Sequence, residues 1–401
     1  MKKIYILIII FCALFMFSGC EKIVRGRIEL EKTGFIRAAG FDKSEKNDDN
    51  VKLTFALKGK SSGGDAKQPA SSGFSIITEE GKTLFDTNRK VRTFVSKNIF
   101  WGHLFFILIG EDAAKDDIVK YLDFVTRNQD IRLTSHVIIV KGTTAEDAIN
   151  KIRTKDITIT ETLSSLVHNS GELSVASELE LGDIIQMLDC EYACAYIPYI
   201  ELNNKIKEEE EKEGKEVLEP SLLGYAIFKD EKLIGYINGG TARGANWVNN
   251  KGETGTTIVE DSKGKEICLE IISIKSKTTP EMKDDKINIK IEINMTSDIV
   301  EYEGREDIFK EKILKDIEKQ QAEIIKKEVQ SAIKYAKENE VDFLGIGDAV
   351  YHKYPIEWEK KYKDKWPSML KNVPISVDVK TKINRTHNIT QPTAMKEGNK
   401  K

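Results

Sequence analysis

The side chains in this sequence with most chemistry to offer are its thiols, histidines and paired acids, and spacing decides what each can do. Cys190 and Cys194 stand four apart, one helical turn, and could approach each other. No histidine pair lies near them, so the pattern is weak as a metal site and reads as buried free thiols, with Cys268 a third. Three thiols are too few for a disulfide scaffold. His103, His136, His168, His352 and His387 are scattered. His103, in Phe100-Trp101-Gly102-His103-Leu104, sits at the mouth of an apolar run. A general base there would need a cysteine or serine partner, and spacing marks none, so a structural histidine bonded to the backbone is the simpler reading. Asp116-Asp117 and Asp284-Asp285 have turn or surface contexts. The chain carries no GxSxG, HExxH or phosphate loop. Gly345-Ile346-Gly347 follows a helical stretch and lacks a third glycine, so it is no dinucleotide fingerprint. Trp101, Trp247, Trp358 and Trp366 read as packing residues. From residues alone there is no evident active site, and no cofactor is expected.

Two further cysteines stand near the start, Cys12 within an apolar run and Cys20 just after it. Lys2 and Lys3 precede an apolar run from Ile4 to Phe17, which ends in Phe17-Ser18-Gly19-Cys20. The run is shorter than the ~20 residues a spanning helix needs. A basic start, a short apolar centre and small residues read as a removed secretory signal over residues 1–19. The cysteine after Ser-Gly looks like a bacterial lipoprotein box, in which this thiol is acylated, with palmitate-type chains, and becomes the new N-terminus. One acyl chain binds reversibly, at ~0.8 kcal/mol per buried CH₂, and two anchor stably. The sequence therefore predicts a protein held on the outer face of a lipid bilayer through Cys20. No second long apolar run follows. A net charge of -3 argues against nucleic acid and gives no polybasic patch.

Elements then fall into place around these residues. Val51, Leu53, Phe55 and Leu57 alternate as a half-buried strand. Leu104–Ile109 and Val137–Val140 are continuously apolar, as buried parallel strands are. A helix is predicted from Gly110-Glu111-Asp112 to about Arg127, and others at 83–94 and 144–152. This is an α/β pattern. Residues 203–220, rich in glutamate and lysine, read as a solvated linker or long hairpin loop. Beyond it, Leu223–Phe228 and Leu233–Ile237 flank Lys229-Asp230-Glu231-Lys232, a turn of hairpin length. Ile287 to Met295 and Ile375 to Ile383 alternate strictly. Between them an apolar stripe predicts a helix over about 307–339. The expected fold is α/β plus α+β, with mixed sheets and packed helices in two to three domains. A C-terminal antiparallel sheet is crossed by the one long helix. The boundaries are 20–202, an α/β region of two subdomains; 203–220, the acidic linker; 221–389, the α+β domain; and 390–401, a disordered tail.

The sequence also resembles a known family. Glu29-Leu30-Glu31-Lys32-Thr33-Gly34, Gly40-Phe41-Asp42-Lys43, Glu80-Gly81-Lys82-Thr83-Leu84 and Phe100-Trp101-Gly102-His103 carry the resemblance in the first half. Ile109-Gly110-Glu111-Asp112-Ala113-Ala114-Lys115 and Leu122-Asp123-Phe124, leading to Arg127 and Arg132, extend it. In the second half it rests on Gly224-Tyr225-Ala226-Ile227-Phe228-Lys229-Asp230, Lys232-Leu233-Ile234-Gly235-Tyr236, Arg243-Gly244 and Trp247. Asp342-Phe343-Leu344-Gly345-Ile346-Gly347, Pro355, Trp358 and Trp366 complete it. In order and spacing these resemble the GerAC-like family, the C-subunit lipoproteins of spore-germination nutrient receptors. The resemblance implies three small mixed domains, a place on the outer face of the spore inner membrane, and A-type and B-type integral membrane partners. It implies germinant sensing by complex formation and no enzyme activity. Gly102, His103, Asp230, Gly235, Tyr236 and Trp247 are the candidate partner-binding residues, with Asp230 and Tyr236 expected to be exposed. The other readings are an extracytoplasmic solute-binding lipoprotein of a transporter, which needs two hinged α/β lobes, and an anchored hydrolase, which needs a nucleophile or metal motif.

Overall fold

The computed structural model describes residues 32–47, 49–58, 74–152, 159–203, 218–284, 286–304 and 307–384. Cys20, most of the 203–220 segment and the 390–401 tail lie outside these residues.

Nine strands form the larger sheet: β1 (Thr33–Lys43), β2 (Val51–Lys58), β3 (Phe74–Gly81), β4 (Asn98–Phe100), β5 (Phe106–Gly110), β6 (His136–Lys141), β7 (Tyr196–Asn203), β8 (Glu219–Lys229) and β9 (Lys232–Asn238). Their order is β3-β2-β1-β5-β6-β7-β8-β9, with β4 also on β1. β1, β5, β6 and β7 run parallel, and the flanking strands are antiparallel. Helices α1 (Leu84–Val91), α2 (Glu111–Asp116), α3 (Ile118–Thr126), α4 (Ala145–Lys151), α5 (Ile159–Glu172) and α6 (Leu181–Leu188) fill the connections.

Small residues set how closely helices approach. A β-carbon on Gly40 of β1 would lie 2.9 Å from the Ala145 and Ile149 side chains of α4. Strand β2 is buried from Val51 to Leu57 on both faces, not half-buried as its alternation suggested. Thr54 is the reason the pattern misleads: it is fully buried, with its hydroxyl bonded to that of Thr78. The helix expected from Gly110 to Arg127 is two helices. Asp117 is extended between them (φ -167°, ψ 107°), and its carboxylate accepts from the Val119 and Lys120 amides. An aspartate that captures those amides caps a new helix instead of continuing the old one.

Strands β8 and β9, which the sequence groups with the second half, belong to the first sheet. β8 pairs along β7 from Tyr196↔Ile227 to Asn203↔Glu219, so the acidic segment joins two hydrogen-bonded strands. The expected turn closes β8–β9 at Lys229↔Lys232.

The second sheet, β10 (Gly255–Glu260), β11 (Glu266–Lys283), β12 (Lys286–Tyr302) and β13 (Ile375–Asn384), follows α7 (Gly239–Val248). It is antiparallel except at one pair. β13 lies parallel to β12, because α8 (Glu311–Asn339), α9 (Ile346–Lys353) and short helical turns through Leu370 return the chain to the same end. The sheet is thus mixed rather than wholly antiparallel, and α8 crosses it as expected. Buried Gln321 of α8 donates to Thr257 of β10 and Ser297 of β12, fixing the crossing.

Candidate functional site

The carboxyl ends of β1, β5 and β6 meet at a cleft of about 530 Å³, lined by Asp42, Ser44, Glu111, Lys115 and Gly142–Thr144 among others. Crevices at the carboxyl ends of parallel strands are where α/β sheets place ligands. The strands deliver the side chains: Asp42 is the penultimate residue of β1, Glu111 follows β5, and Lys141 ends β6.

Asp42 is buried and accepts from the backbone amides of Ala145 (2.7 Å) and Glu146 (2.9 Å) at the start of α4. Burial pushes its carboxyl up to about 6, against the pull of those two amides. Gly110 must be glycine beside it, since a β-carbon there would fall 2.0 Å from Asp42 Oδ1. Glu111 is half-buried. Burial opposes its ionisation, but hydrogen bonds from Lys115 and the Gly142 amide outweigh this and hold it below the usual carboxylate range.

Next to Glu111, Lys141 sits over two tyrosine rings, Tyr199 (5.3 Å) and Tyr236 (4.9 Å), whose own centroids are 4.7 Å apart. Its ammonium pairs with Glu201. Burial drives both phenols above their ordinary range. Lys115 and Lys141 each face an acid or a ring, and two hydroxyls at the cleft donate to carboxylates, Ser44 to Glu80 (3.0 Å) and Thr143 to Asp147 (2.6 Å). Among the described residues no group of three or more metal-ligating side chains converges. Cys190, Cys194 and Cys268 are free, and burial raises all three thiols, Cys194 to about 11. Raised thiols are poor nucleophiles.

The sequence-predicted residues do not form one site. Gly102 and His103 lie at the amino end of β5, opposite the cleft. Gly102 is buried, and a β-carbon there would meet the Phe100 ring at 2.5 Å. His103 is exposed, with its ring against Phe35 (4.9 Å) and Phe100 (5.9 Å). Asp230 is exposed in the β8–β9 turn at φ 53°, a left-handed conformation that aspartate tolerates better than most. The neighbouring Glu231 carbonyl accepts from the Ile118 amide at 2.9 Å. Gly235 makes room for the Tyr335 hydroxyl of α8, 2.6 Å from where a β-carbon would stand. Tyr236 is half-buried in the cleft cluster rather than exposed. Trp247 is fully buried, and its indole Nε1 donates to Glu328 Oε2 at 2.6 Å. Arg243 pairs with the same Glu328 at 3.1 Å, and burial raises that carboxyl.

Sequence reasoning missed Asp42, Glu111, Lys141, Tyr199 and Glu201 as a cluster. A signal was present in Gly40-Phe41-Asp42 and Gly110-Glu111, where an acid comes within two residues of a glycine at the end of a strand. A second buried acid was missed too. Asp342 accepts from the amides of Leu344, Ile346 and Gly347 and from Trp366 Nε1 (2.7 Å), so Asp342-Phe343-Leu344-Gly345-Ile346-Gly347 is a capping motif.

Comparison with known proteins places these features in context. Residues 26–202 match the family described as spore germination protein N-terminal domain, and residues 223–387 match the family described as spore germination B3/GerAC like, C-terminal. Spore germination protein KC of Bacillus subtilis (strain 168) is 25% identical, covering 96% of each chain. Putative spore germination protein YfkR of the same organism is 23% identical over 90% of this chain and 94% of its own. The crystal structure of the GerBC protein shares the fold, with a TM-score of 0.56 at 18% identity, over 86% of this chain and 96% of that one.

Proposed function

This chain belongs to the GerAC-like family of spore germination proteins, and from that premise we propose that it is the non-catalytic C-type subunit of a nutrient germinant receptor. The observation that carries the proposal is the tandem match, N-terminal family domain then C-terminal family domain, over nearly all the described residues. The relatives' names, spore germination proteins, support the non-catalytic part. The subunit works through surfaces presented to A-type and B-type integral membrane partners. No described helix is long and apolar enough to cross a membrane. Attachment through acylated Cys20, on the outer face of the spore inner membrane, fits that role. His103 and Asp230 are the exposed candidates for partner contact, whereas Gly102, Gly235, Tyr236 and Trp247 act by positioning. The solute-binding alternative needs two hinged α/β lobes, and a four-stranded mixed sheet crossed by one helix supplies no second lobe.

The test is genetic and biochemical together. Deleting the chain should abolish one nutrient response of the spore, and the wild-type protein should co-purify with two multi-span membrane proteins. Cys20→Ala should leave the protein unprocessed or released from membranes. Unchanged responses to every nutrient after deletion would refute the receptor assignment, and unchanged processing and retention of Cys20→Ala would refute the anchor.

A further inference from the structure

We propose that the amino-end edge of the first sheet, around Phe94, Phe100, Phe105 and Leu133, rests on the anionic phospholipid surface to which the chain is anchored. The inference rests on the anchor reading above and adds the face that meets the lipid.

Four large apolar side chains are exposed together here: Phe94 (57%), Phe100 (37%), Phe105 (43%) and Leu133 (55%). The fold gathers them. Parallel pairing of β4 with β1 sets Phe100 beside Phe35, their rings 6.0 Å apart, with His103 against both. The Phe105 amide donates to the Arg37 carbonyl, and the Arg37 guanidinium lies 4.5 Å from the Phe105 ring. Ser135 Oγ donates to the Leu104 carbonyl, which draws the loop bearing Leu133 to the same edge. Phe94 lies just past α1, in the turn leading to β4. An exposed apolar patch on a folded surface marks something that covers it.

Two observations say what covers it. The first is charge. Lys32, Arg37, Arg92, Lys97, Arg127 and Arg132 belong to the segments that form this edge, as do Asp123, Asp130, Glu178 and Glu180; Arg127 holds Asp123 at 2.7 Å and His136 holds Glu178 at 3.2 Å. Aromatic rings bordered by six cations and four acids suit the interface of an anionic bilayer, where rings sit at headgroup depth and basic side chains meet phosphates. The second is where the chain enters. Thr33 opens β1 and pairs with Asn98, two residues before Phe100. From Cys20 to Thr33 the chain can span at most about 45 Å even if fully extended. The aromatic edge is therefore the part of the fold reached first from the anchor. The cleft lies at the other end of the same strands.

The test uses the full acylated chain on vesicles of phosphatidylcholine with phosphatidylglycerol, on phosphatidylcholine vesicles, and in detergent micelles, read by flotation and amide hydrogen exchange. Amides of 92–105 and 131–134 should exchange at least several-fold more slowly on the anionic vesicles than in detergent, with less slowing on neutral ones. Amides of 142–147, at the carboxyl end of the same strands, should not change. Phe100→Ser with Phe105→Ser should lose the protection while the protein still floats with the vesicles. Equal exchange on vesicles and in detergent, with the protein still floating, would overturn the membrane face, leave the anchor standing and assign the edge to a protein partner. A wild-type chain that does not float would overturn the anchor and this proposal with it.

Discussion

A β-carbon placed on Gly244 would lie 2.1 Å from the carbonyl oxygen of Glu328. No side chain fits there, so α7 and α8 touch backbone to backbone. The contact is closed on both sides by Glu328 itself, which pairs with Arg243 and accepts from Trp247. One glycine thus decides how near the second sheet's long helix comes to the first sheet's edge.

Gly244→Ala should destabilise the protein. Alanine gains ~1 kcal/mol in helix propensity. Overpacking against an unyielding backbone costs ~1–3 kcal/mol, and this site belongs at the top of that range. A lowered urea midpoint is expected. Gly240→Ala, whose β-carbon would stand 3.4 Å from the Glu328 Cγ, should cost much less. Equal midpoints for the two variants would mean that the helices are free to separate.

Asp42 makes a pH prediction. Its folded value of about 6 lies above the unfolded value of 3.8, so the folded state holds an extra proton between them. The associated stability is fully present below about pH 4 and is lost as pH rises through about 6. A two-unit shift corresponds to about 3 kcal/mol. Asp42→Asn keeps an acceptor for α4 and removes the titration. Urea midpoints from pH 4 to 7 should show wild type falling relative to this variant by an amount of that order. A constant difference across the range would refute the assignment.

The parts of this molecule that follow a local period were legible in the sequence. Ile287 to Met295 and Ile375 to Ile383 announce β12 and β13, and Lys229-Asp230-Glu231-Lys232 announces the β8–β9 hairpin. Relations set by distant pairing were not. Nothing local says that Ile289 faces Ile375 in a parallel register, or that β8 belongs with β7 across the acidic segment. The cleft and the cluster beside it are illegible for the same reason: strand order alone brings Asp42 and Glu111 to the cleft and sets Lys141 and Tyr236 next to them. Several residues that carry the family resemblance prove to be spacing devices. Gly40, Gly110, Gly244 and Gly347 each stand where a β-carbon would strike a neighbour closer than 3.0 Å. A sequence marks such residues without saying whether packing or binding selects them.

Asp342 tests one such device. Its Oδ1 accepts from Leu344 and Ile346, and its Oδ2 from Gly347 and Trp366. Burial pushes this carboxyl up while the four donors pull it down. Asp342→Asn would turn an amide NH₂ toward two buried donors. Hydrogen bonds to a charged group contribute ~1.5–3 kcal/mol each, so a loss of ~3 kcal/mol or more is expected. Trp366→Phe keeps three of the four donors and much of the ring contact with Trp358, 5.3 Å away, and should cost less. Thermal unfolding of the two variants checks the order. A milder effect for Asp342→Asn would mean that the ring packing, not the carboxylate, holds this corner.

The acidic segment separates two views of how the halves are joined. Its composition makes residues 205–219 the expected first site of limited proteolysis, since a charged, apolar-poor stretch opens at little cost. A simple linker would then release two independent pieces. Pairing of β7 with β8 predicts otherwise, because eight residue pairs, from Tyr196↔Ile227 to Asn203↔Glu219, hold the cut ends together. Tyr225 of β8 adds to this. It is fully buried and bonds both Ser177, before the cut, and Asn246, after it. The nicked protein should therefore run as one species in native gel filtration and as two bands under denaturing conditions. Its urea transition should stay cooperative. Separation of the fragments without denaturant would show that the sheet does not bind the halves, and first cleavage within α8 would show that the long helix is not the stable element its packing implies.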